Sequence, residues 1–199
     1  CPRARGTHAM RSAFLEDIHR CVGIKHELTV VNAVRTVLRD FGLQALAAYR
    51  LGRWLLGARG KSWAWPFLPL GCPIFFTLSR YVRLAYDIHL RLSADIGPGL
   101  YIGHFGGVLL DRCRIGTHCS ISQSTRIHPG ESASGPILGD RVWIGAHAQI
   151  IGAYNIGSGS TISAGAIVTR DIPERTLCMG NPARVVLRGY DNTAILLLS

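Results

Sequence analysis

The chain has 199 residues, enough for one domain with a short appendage or for two small domains. Its formal net charge of +10 suits an anionic partner, such as nucleic acid, a membrane surface or a phosphorylated cofactor. Because the arginines are scattered singly and form no basic run, nucleic acid is not expected as the partner. None of the six cysteines forms a C-x-x-C pair, which argues against a zinc site or a disulfide framework and favours reduced thiols in the cytoplasm.

The N-terminal part has a helical pattern. Residues 1–9 read as vector-derived sequence ahead of Met10, and we expect a helical domain over residues 10–92. Apolar residues recur at three- and four-residue spacings in three segments, 28–42, 43–60 and 80–92. Gly42 and Gly57 stand where helices commonly stop.

Eighteen uncharged residues separate Lys61 from Arg80, a length close to that of a membrane span. A helix here would be interrupted by three prolines, Pro66, Pro69 and Pro73. We therefore expect residues 62–79 to form a buried or oligomer-packing linker and not a true span. The alternative is peripheral membrane contact through four aromatic residues, Trp63, Trp65, Phe67 and Phe76.

After residue 91, aliphatic residues recur at every sixth position. The longest run has five consecutive intervals of six and comprises Leu138, Ile144, Ile150, Ile156, Ile162 and Val168. Two shorter runs are Leu109, Ile115, Ile121 and Ile127, and Ile96 with Ile102. This period fits a coil with three flat faces of one hexapeptide each, whose aliphatic residues point inward. The sequence therefore predicts an α+β chain, with a parallel β-helix over residues 93–188 and a C-terminal tail over 189–199.

The repeat is interrupted twice. One extra residue lies between Ile102 and Leu109, and a longer insertion runs from His128 to Ile137. A regular coil expels such insertions to its surface, where functional loops usually lie. Both interruptions are therefore candidate site elements.

Residues 43–188 resemble the serine acetyltransferases and, more widely, the hexapeptide-repeat acyltransferases. The resemblance rests on ALAAYRLGRWLL (45–56), GPGLYIGHFGGVLL (97–110), the coils of 142–173 and GNPARVV (180–186). It implies a helical N-terminal domain followed by a left-handed parallel β-helix of hexapeptide repeats. It also implies a homotrimer with active sites between neighbouring β-helices and acetyl-CoA along the coils. Whether two trimers associate further is left open.

The resemblance assigns His104 as the catalytic base, within an H-x-x-G-hydrophobic pattern. Transfer of an acetyl group from a thioester to a hydroxyl needs a group that takes the hydroxyl proton, and imidazole titrates near neutral pH. Carried over by position, the cofactor-binding residues are Ala146, Ala164, Gly165, Asn181, Pro182, Ala183 and Arg184. Small residues let the pantetheine arm approach the backbone, and an arginine suits a phosphate.

The acceptor half of the match departs from the family's pattern. Gly103 stands where the family has Asp before the catalytic His, and residues 134–135 replace an Arg-His pair before proline. We hypothesise that His128 or Glu131 takes over part of the role of that second histidine, which makes His128 a second catalytic candidate. The candidate substrate-binding residues are Gly103, Gly106 and Glu131.

We predict an acetyl-CoA-dependent O-acetyltransferase that acts on serine or another small hydroxyl compound and needs no metal. Two alternatives stay open. One is acetyl transfer to a saccharide or specialised metabolite, which the apolar 62–79 segment favours because surface polysaccharides are made at the membrane. The other is a non-catalytic β-helix scaffold. A γ-carbonic anhydrase relative would need histidines at a spacing that His104, His118 and His147 do not have.

Overall fold

A computed structural model describes residues 7–25, 30–58, 68–103 and 106–198. Four helices precede the strands, and their bounds are α1 Thr7–Lys25, α2 Val30–Arg39, α3 Phe41–Ala58 and α4 Leu68–Tyr86. The third of these helices, α3, packs against both α1 and α4. The predicted helical N-terminal part is therefore confirmed.

The break between α2 and α3 lies at Asp40 and not at Gly42. Asp40 Oδ1 accepts a hydrogen bond from the Leu43 N–H at 2.9 Å, as a helix N-cap does. Gly42 lies in the first turn of α3, where a Cβ atom would come within 2.5 Å of the Ile102 carbonyl oxygen. The predicted helix stop at Gly42 is wrong, because this glycine permits a close approach between α3 and the first coil.

The helix predicted over 80–92 is only partly present. It ends at Tyr86, and Asp87 follows with a φ of +51°, a left-handed conformation that does not continue an α-helix. The next strand, β1 Ile88–Leu90, pairs in parallel with Val108–Leu110. The β-helix therefore begins at residue 88, inside the 80–92 segment whose apolar spacing predicts a helix.

Within the described residues, fifteen short strands follow α4. They are β1 Ile88–Leu90, β2 Asp95–Ile96, β3 Tyr101–Ile102, β4 Val108–Leu110, β5 Arg114–Ile115, β6 Ser120–Ile121, β7 Arg126–His128, β8 Ile137–Leu138, β9 Trp143–Ile144, β10 Gln149–Ile151, β11 Asn155–Ile156, β12 Thr161–Ile162, β13 Ile167–Val168, β14 Thr176–Met179 and β15 Arg184–Arg188. A short helix, α5 Thr193–Leu198, ends the described chain.

The strands form three faces. Face I has the order β1-β4-β7-β10-β13, face II has β2-β5-β8-β11, and face III has β3-β6-β9-β12-β14-β15. Each described strand pair is parallel, except that β15 runs antiparallel to β14 and closes the last coil. The chain thus winds through about five turns of a parallel β-helix, as the hexapeptide period predicts.

The predicted inward residues form the core, with one exception. The aliphatic residues of the six-residue period are buried and belong to one apolar cluster. Leu109 is only half-buried, whereas its neighbour Leu110 is fully buried and lies in register with Ile127. The prediction for Leu109 is therefore wrong. Since eight positions separate Ile102 from Leu110, the first interruption holds two extra residues instead of one.

Other chain segments cover the outer side of face III. Tyr101 of β3 is buried in a cluster with Cys21 of α1 and Leu43 of α3. Farther along the coil, Asn192 Nδ2 donates to the Arg141 carbonyl oxygen at 2.8 Å, which ties the segment before α5 to the start of β9. The N-terminal helices therefore brace the first coils of face III, and the C-terminal segment lies over later ones.

Residues 68–79 belong to α4 and several of their side chains are exposed in the single chain, so the predicted buried linker is wrong for these residues, whereas packing between copies stays a prediction. Residues 62–67, with Pro66, lie outside the described residues, while the remainder belongs to α4. Pro69 occupies the first turn, where its missing N–H has no intrahelical partner to lose. Pro73 lies inside the helix, which continues past it with one backbone hydrogen bond fewer. None of the described helices is both long enough and apolar enough to cross a bilayer.

Candidate functional site

The corner that joins face III to face I carries most of the predicted site. We call this edge the III–I corner, and its segments are 103–107, 123–124, 146–147, 164–165 and 180–183. Backbone N–H groups connect its successive coils, from Ser124 to Gly106 O (2.7 Å), from His147 to Gln123 O (3.0 Å) and from Gly165 to Ala146 O (2.8 Å). The chain turns here in the left-handed conformation, with φ of +57° at Ser124, +61° at His147 and +69° at Gly165. The first interruption and the predicted cofactor residues thus share one edge.

Backbone amides at equivalent positions of this edge have no acceptor among the described residues. Within the described part of the chain, the N–H groups of Ala146 and Ala164 donate to no acceptor. They occupy equivalent positions in neighbouring coils, and adjacent strands of a sheet lie about 4.8 Å apart. The corner therefore presents a row of amide donors to a ligand that lies along the coil axis.

The predicted cofactor residues differ in exposure. Ala146 is half-buried, whereas five of them are exposed, namely Ala164, Gly165, Asn181, Pro182 and Arg184. No atom lies within 4 Å of the position that a Cβ of Gly165 would take, so the corner is open there. Ala183 is buried, and its N–H donates to Ile167 O at 2.8 Å. Its backbone therefore anchors the closing segment to β13.

His104 lies outside the described residues, together with Phe105. The flanks of their loop are described. Gly103 is buried and donates its N–H to Ile121 O at 2.9 Å. Gly106 has a φ of +107°, and no atom of the described residues lies within 4 Å of where its Cβ would be. A backbone hydrogen bond thus fixes Gly103 before residues 104–105, and the glycine after them has open space beside it.

A buried ion pair holds the coil that leads into this loop. Arg50 Nε and Asp17 Oδ2 are 3.0 Å apart, and the Asp17 side chain is fully buried. Asp17 Oδ1 accepts hydrogen bonds from the N–H groups of Gly99 at 2.7 Å and Leu100 at 3.2 Å. Arg50 also donates to the carbonyl oxygens of residues 96–97, at 2.7 and 2.6 Å. Helices α1 and α3 are therefore bonded to the backbone of the first coil.

A second arginine adds to this support. Arg20 Nη1 donates to Gly99 O at 2.6 Å, and its Nη2 donates to Ser120 Oγ at 2.8 Å. Sequence reasoning did not identify Asp17, Arg20 or Arg50 as residues that position the site. Their partners in the first coils lie 46 to 100 residues away along the chain, so no local motif signals them.

The second interruption lies at a different corner, between β7 of face I and β8 of face II. His128 ends β7 and is half-buried, and its Nδ1 accepts a hydrogen bond from the Gly130 N–H at 3.1 Å. Glu131 is exposed. Within one chain, His128 and Glu131 are therefore not brought to the corner that holds Gly103 and Gly106.

The remaining coil histidines lie at two different corners. His147 is exposed on the III–I corner beside the predicted cofactor residues. His118 lies on the corner between faces II and III, with Nε2 at 3.5 Å from Glu16 Oε1 of α1. Among the residues that the structure describes, no group of three or more His, Cys, Asp or Glu side chains could hold a metal ion.

The chain is similar to two curated serine acetyltransferases and to one solved serine acetyltransferase structure. The serine acetyltransferase of Synechococcus elongatus is 32% identical over 161 residues, which cover 79% of this chain and 62% of that protein. The serine acetyltransferase of Escherichia coli K12 is 32% identical over 149 residues, which cover 73% of this chain and 50% of that protein. This chain therefore spans between half and about three fifths of the length of these curated relatives.

Among solved structures, serine acetyltransferase from Vibrio cholerae superposes with a TM-score of 0.72 at 25% identity. The superposition covers 95% of this chain and 70% of that one. No protein-family model matches the chain.

Proposed function

Because the chain is a serine acetyltransferase-like member of the hexapeptide-repeat transferases, we propose that it transfers an acetyl group from acetyl-CoA to the hydroxyl of a small acceptor. One observation carries the proposal. Gly103 and Gly106, which flank His104 and Phe105 in the sequence, lie on the same III–I corner as the residues matched to the cofactor. Three coil steps separate residue 106 from residue 165, which is about 14 Å at the usual strand spacing.

The corner residues fit the cofactor. The unpartnered N–H groups of Ala146 and Ala164 are donors for the amide carbonyls of a pantetheine arm, and the missing side chain at Gly165 leaves the backbone accessible. Arg184 is exposed next to the closing segment and suits a phosphate, which a guanidinium binds through two parallel hydrogen bonds. Acetyl-CoA supplies the activated acetyl group as a thioester.

His104 acts as the general base in this proposal. Its imidazole takes the proton of the acceptor hydroxyl as the oxygen attacks, which contributes about 10²–10⁴-fold to the rate. Direct transfer is favoured over a cysteine-bound intermediate. Burial raises the pKa of Cys113 to about 12 and that of Cys119 to about 11, so both thiols stay protonated at neutral pH.

His128 serves as a donor to the acceptor in this proposal, and not as a second base. Because its Nδ1 accepts from the Gly130 N–H, the neutral ring carries its proton on Nε2. That N–H can donate to an oxygen of the acceptor. Glu131, exposed in the same loop, is the candidate partner for an ammonium group. Serine is the first acceptor to test, since the similar proteins are serine acetyltransferases.

A homotrimer unites the two loops in this proposal. The corner with Gly103 and Gly106 and the corner with His128 are different edges of one coil, so a complete site needs the second edge from a neighbouring copy. The solution mass should be three times the 21.7 kDa of the chain. A mass of 21.7 kDa in a fully active preparation would rule out the shared site.

The cytoplasm is the proposed location. The five described cysteines are free thiols, four of them buried, which supports a reducing compartment.

The decisive assay follows thiol release from acetyl-CoA with L-serine, sugars, nucleotide sugars and other hydroxyl compounds. His104→Ala should lower turnover by about 10²–10⁴-fold. The matched control is His118→Ala at the corner between faces II and III, which should retain turnover. Equal rates in the two variants would contradict the role of His104. Absence of acetyl-CoA binding would contradict the enzyme proposal itself.

A glycine pair tests the cofactor residues separately. Gly165 and Gly159 have nearly the same φ, +69° and +68°, so alanine imposes a similar backbone strain of about 1 kcal/mol at each. Only Gly165 lies on the III–I corner. Gly165→Ala should raise the KM for acetyl-CoA several-fold, whereas Gly159→Ala should lower stability by the same amount and leave that KM unchanged. Equal KM values would contradict the proposed cofactor edge.

A further inference from the structure

The outward side of α4 is apolar along most of its length. Leu70, Phe76 and Leu84 expose 69%, 67% and 75% of their surface, and Ile74 is also exposed. The opposite side of the helix packs on α3, where Phe75 fills the space left by a glycine of that helix. Exposed apolar side chains in a continuous helical face mark an interaction surface.

The α3–α4 region also carries basic residues and no acidic ones. Residues 41–86 contain no Asp or Glu, and their six basic residues are Arg50, Arg53, Arg59, Lys61, Arg80 and Arg83. Arg50 is neutralised by Asp17 in the buried ion pair. Arg80 and Arg83 are exposed on α4, within the last two turns of its apolar face. A helix with an apolar face and basic residues on the same exposed side is typical of binding to anionic lipid surfaces.

A cavity of about 290 Å³ lies between α3, α4 and β1, on the inner side of α4. Its walls include Tyr49, Phe75 and Val82, and its basic lining residues are Arg83, His89 and Arg91. Arg83 thus borders both the cavity and the exposed side of α4. A phosphate-bearing headgroup matches the combination of apolar walls and guanidinium groups.

We propose that the exposed face of α4 docks the protein on a membrane surface rich in anionic phospholipids. The apolar side chains enter the boundary between headgroups and acyl chains, Arg80 and Arg83 contact phosphates, and the cavity receives one headgroup. A second copy of the chain is the less suitable occupant. Two such faces would bring four arginines together, and the acidic residue next to α4, Asp87, is already bonded to His89 at 2.9 Å.

The docked orientation leaves the end of the III–I corner that carries residues 164–165 and 180–183 away from the membrane. Both α3 and α4 contact β1, which lies at the first-coil edge of face I. The closing segment at 180–183 contacts β13, at the opposite edge of that face. Membrane docking therefore involves the end of the solenoid nearest the 103–107 loop. The docking proposal does not depend on the proposed acetyl transfer, so a negative result for one leaves the other unaffected.

The test is flotation of the full chain with phosphatidylcholine vesicles that contain or lack phosphatidylglycerol. The wild type should bind the anionic vesicles and release from them as salt is raised. Arg80→Gln/Arg83→Gln should lower the partition coefficient about thirtyfold, the contribution of two arginines at an anionic surface. The matched control, Arg126→Gln/Arg170→Gln, removes the same charge from exposed residues of the coil and should retain binding.

A second pair of variants tests the apolar contact. Leu70→Ser/Phe76→Ser should lower vesicle binding about tenfold or more while leaving the thermal midpoint near that of the wild type, because both side chains are exposed. Cys72, exposed on α4, provides a reporter. In a Cys1→Ser background, an environment-sensitive dye on Cys72 should shift to the blue when anionic vesicles are added.

Three results would overturn the proposal. They are no vesicle binding by the wild type at low salt, equal loss of binding in the two arginine pairs, and binding to neutral vesicles as strong as to anionic ones. If Leu70→Ser/Phe76→Ser instead reduced the sedimenting mass without affecting vesicle binding, the face would be a contact between copies of this chain.

Discussion

The two interruptions of the coil are supported in different ways. The first, at 103–107, follows the segment 96–100, whose backbone helices α1 and α3 hold through Asp17, Arg20 and Arg50. The second, from His128 to Ile137, is held by its own turn and by neighbouring coils. Ser132 N–H donates to Pro129 O at 3.0 Å, Gly130 N–H donates to His128 Nδ1, and Gly152 N–H donates to His128 O at 3.1 Å. The helical part therefore governs the geometry of one loop and has little direct influence on the other.

This difference fits the chemistry proposed for each loop. A general base must be held within hydrogen-bond distance of the proton that it takes, so its loop benefits from a rigid support. A loop that recognises the acceptor can vary in sequence without disturbing the coil. The departures from the serine acetyltransferase pattern at residues 134–135 fall in this second loop.

The largest expected effect follows from removal of Asp17. Asp17→Ala leaves the Arg50 guanidinium buried without its carboxylate, which typically costs about 3–5 kcal/mol of unfolding free energy. Urea unfolding measures this loss. The folded fraction should also lose turnover, because the backbone of Gly99 and Leu100 loses its acceptor.

Asp95→Ala is the matched control for this change. Asp95 forms two long and partly exposed ion pairs, at 3.7 Å to Arg53 and 3.8 Å to Arg114. Its removal should cost less than about 1 kcal/mol. A similar loss for the two aspartates would contradict the special role of the buried pair.

A substitution at Gly42 tests the contact between α3 and the first coil. A Cβ at this position would lie 2.5 Å from the carbonyl oxygen and 2.8 Å from the Cβ of Ile102, and neither atom belongs to a flexible side-chain end. Gly42→Ala should therefore destabilise the protein by about 1–3 kcal/mol, although alanine is the better helix former. Thermal unfolding and turnover report the effect, and both should fall.

Gly57→Ala in the same helix is its control. No atom lies within 4 Å of the added Cβ, so the higher helix propensity of alanine should leave stability unchanged or raise it by up to about 1 kcal/mol. If both alanines were neutral, the close approach at Ile102 would not constrain the loop that follows it.

The six-residue period predicted the solenoid correctly because it depends on burial alone. Each inward aliphatic residue faces the same kind of core, so the pattern needs no knowledge of distant contacts. The pattern failed at Leu109, where two adjacent leucines offered alternative core residues. The separate helical spacing of residues 80–92 failed after Tyr86, because Asp87 adopts a left-handed conformation and β1 pairs with β4.

The candidate site was predictable only in part. Motif spacing identified the residues that the structure brings to the III–I corner, because a coil stacks equivalent positions of successive turns. The supporting residues Asp17 and Arg50 were missed, since their partners lie in the first coil and carry no local signal. Gly42 was taken for a helix stop because the sequence does not reveal what approaches it.

His128→Ala tests the second loop. It should raise the KM for the acceptor about tenfold and leave the KM for acetyl-CoA unchanged, because the role proposed for the ring is to donate to the acceptor and the ring lies on another corner than the proposed cofactor residues. Unfolding stability should change by less than about 1 kcal/mol, since the side chain is only half-buried. An equal effect on both KM values would contradict the proposal that the His128 corner binds the acceptor and the III–I corner binds the cofactor.

The smallest expected effect concerns the corner between faces II and III, which holds neither loop. Asp140 Oδ1 accepts hydrogen bonds from the Thr117 N–H at 2.7 Å and from its hydroxyl at 2.9 Å, and these bonds lower the pKa of the carboxyl below its ordinary value. A carboxyl with a lowered pKa in the folded state stabilises the protein above its unfolded pKa, near 3.8, and loses that contribution as the pH falls through the folded value. Asp140→Asn should therefore cost about 0.5 kcal/mol at pH 7, because exposure to solvent weakens the charged hydrogen bonds.

The difference in unfolding free energy between the wild type and Asp140→Asn should shrink as the pH is lowered below about 4. Turnover per folded molecule should not change, since Thr117 and Asp140 contact neither loop. A loss of turnover without a loss of stability would mean that this third corner also takes part in the reaction. The proposed contrast between the 103–107 loop, which the helices support, and the loop that begins at His128 would then be incomplete.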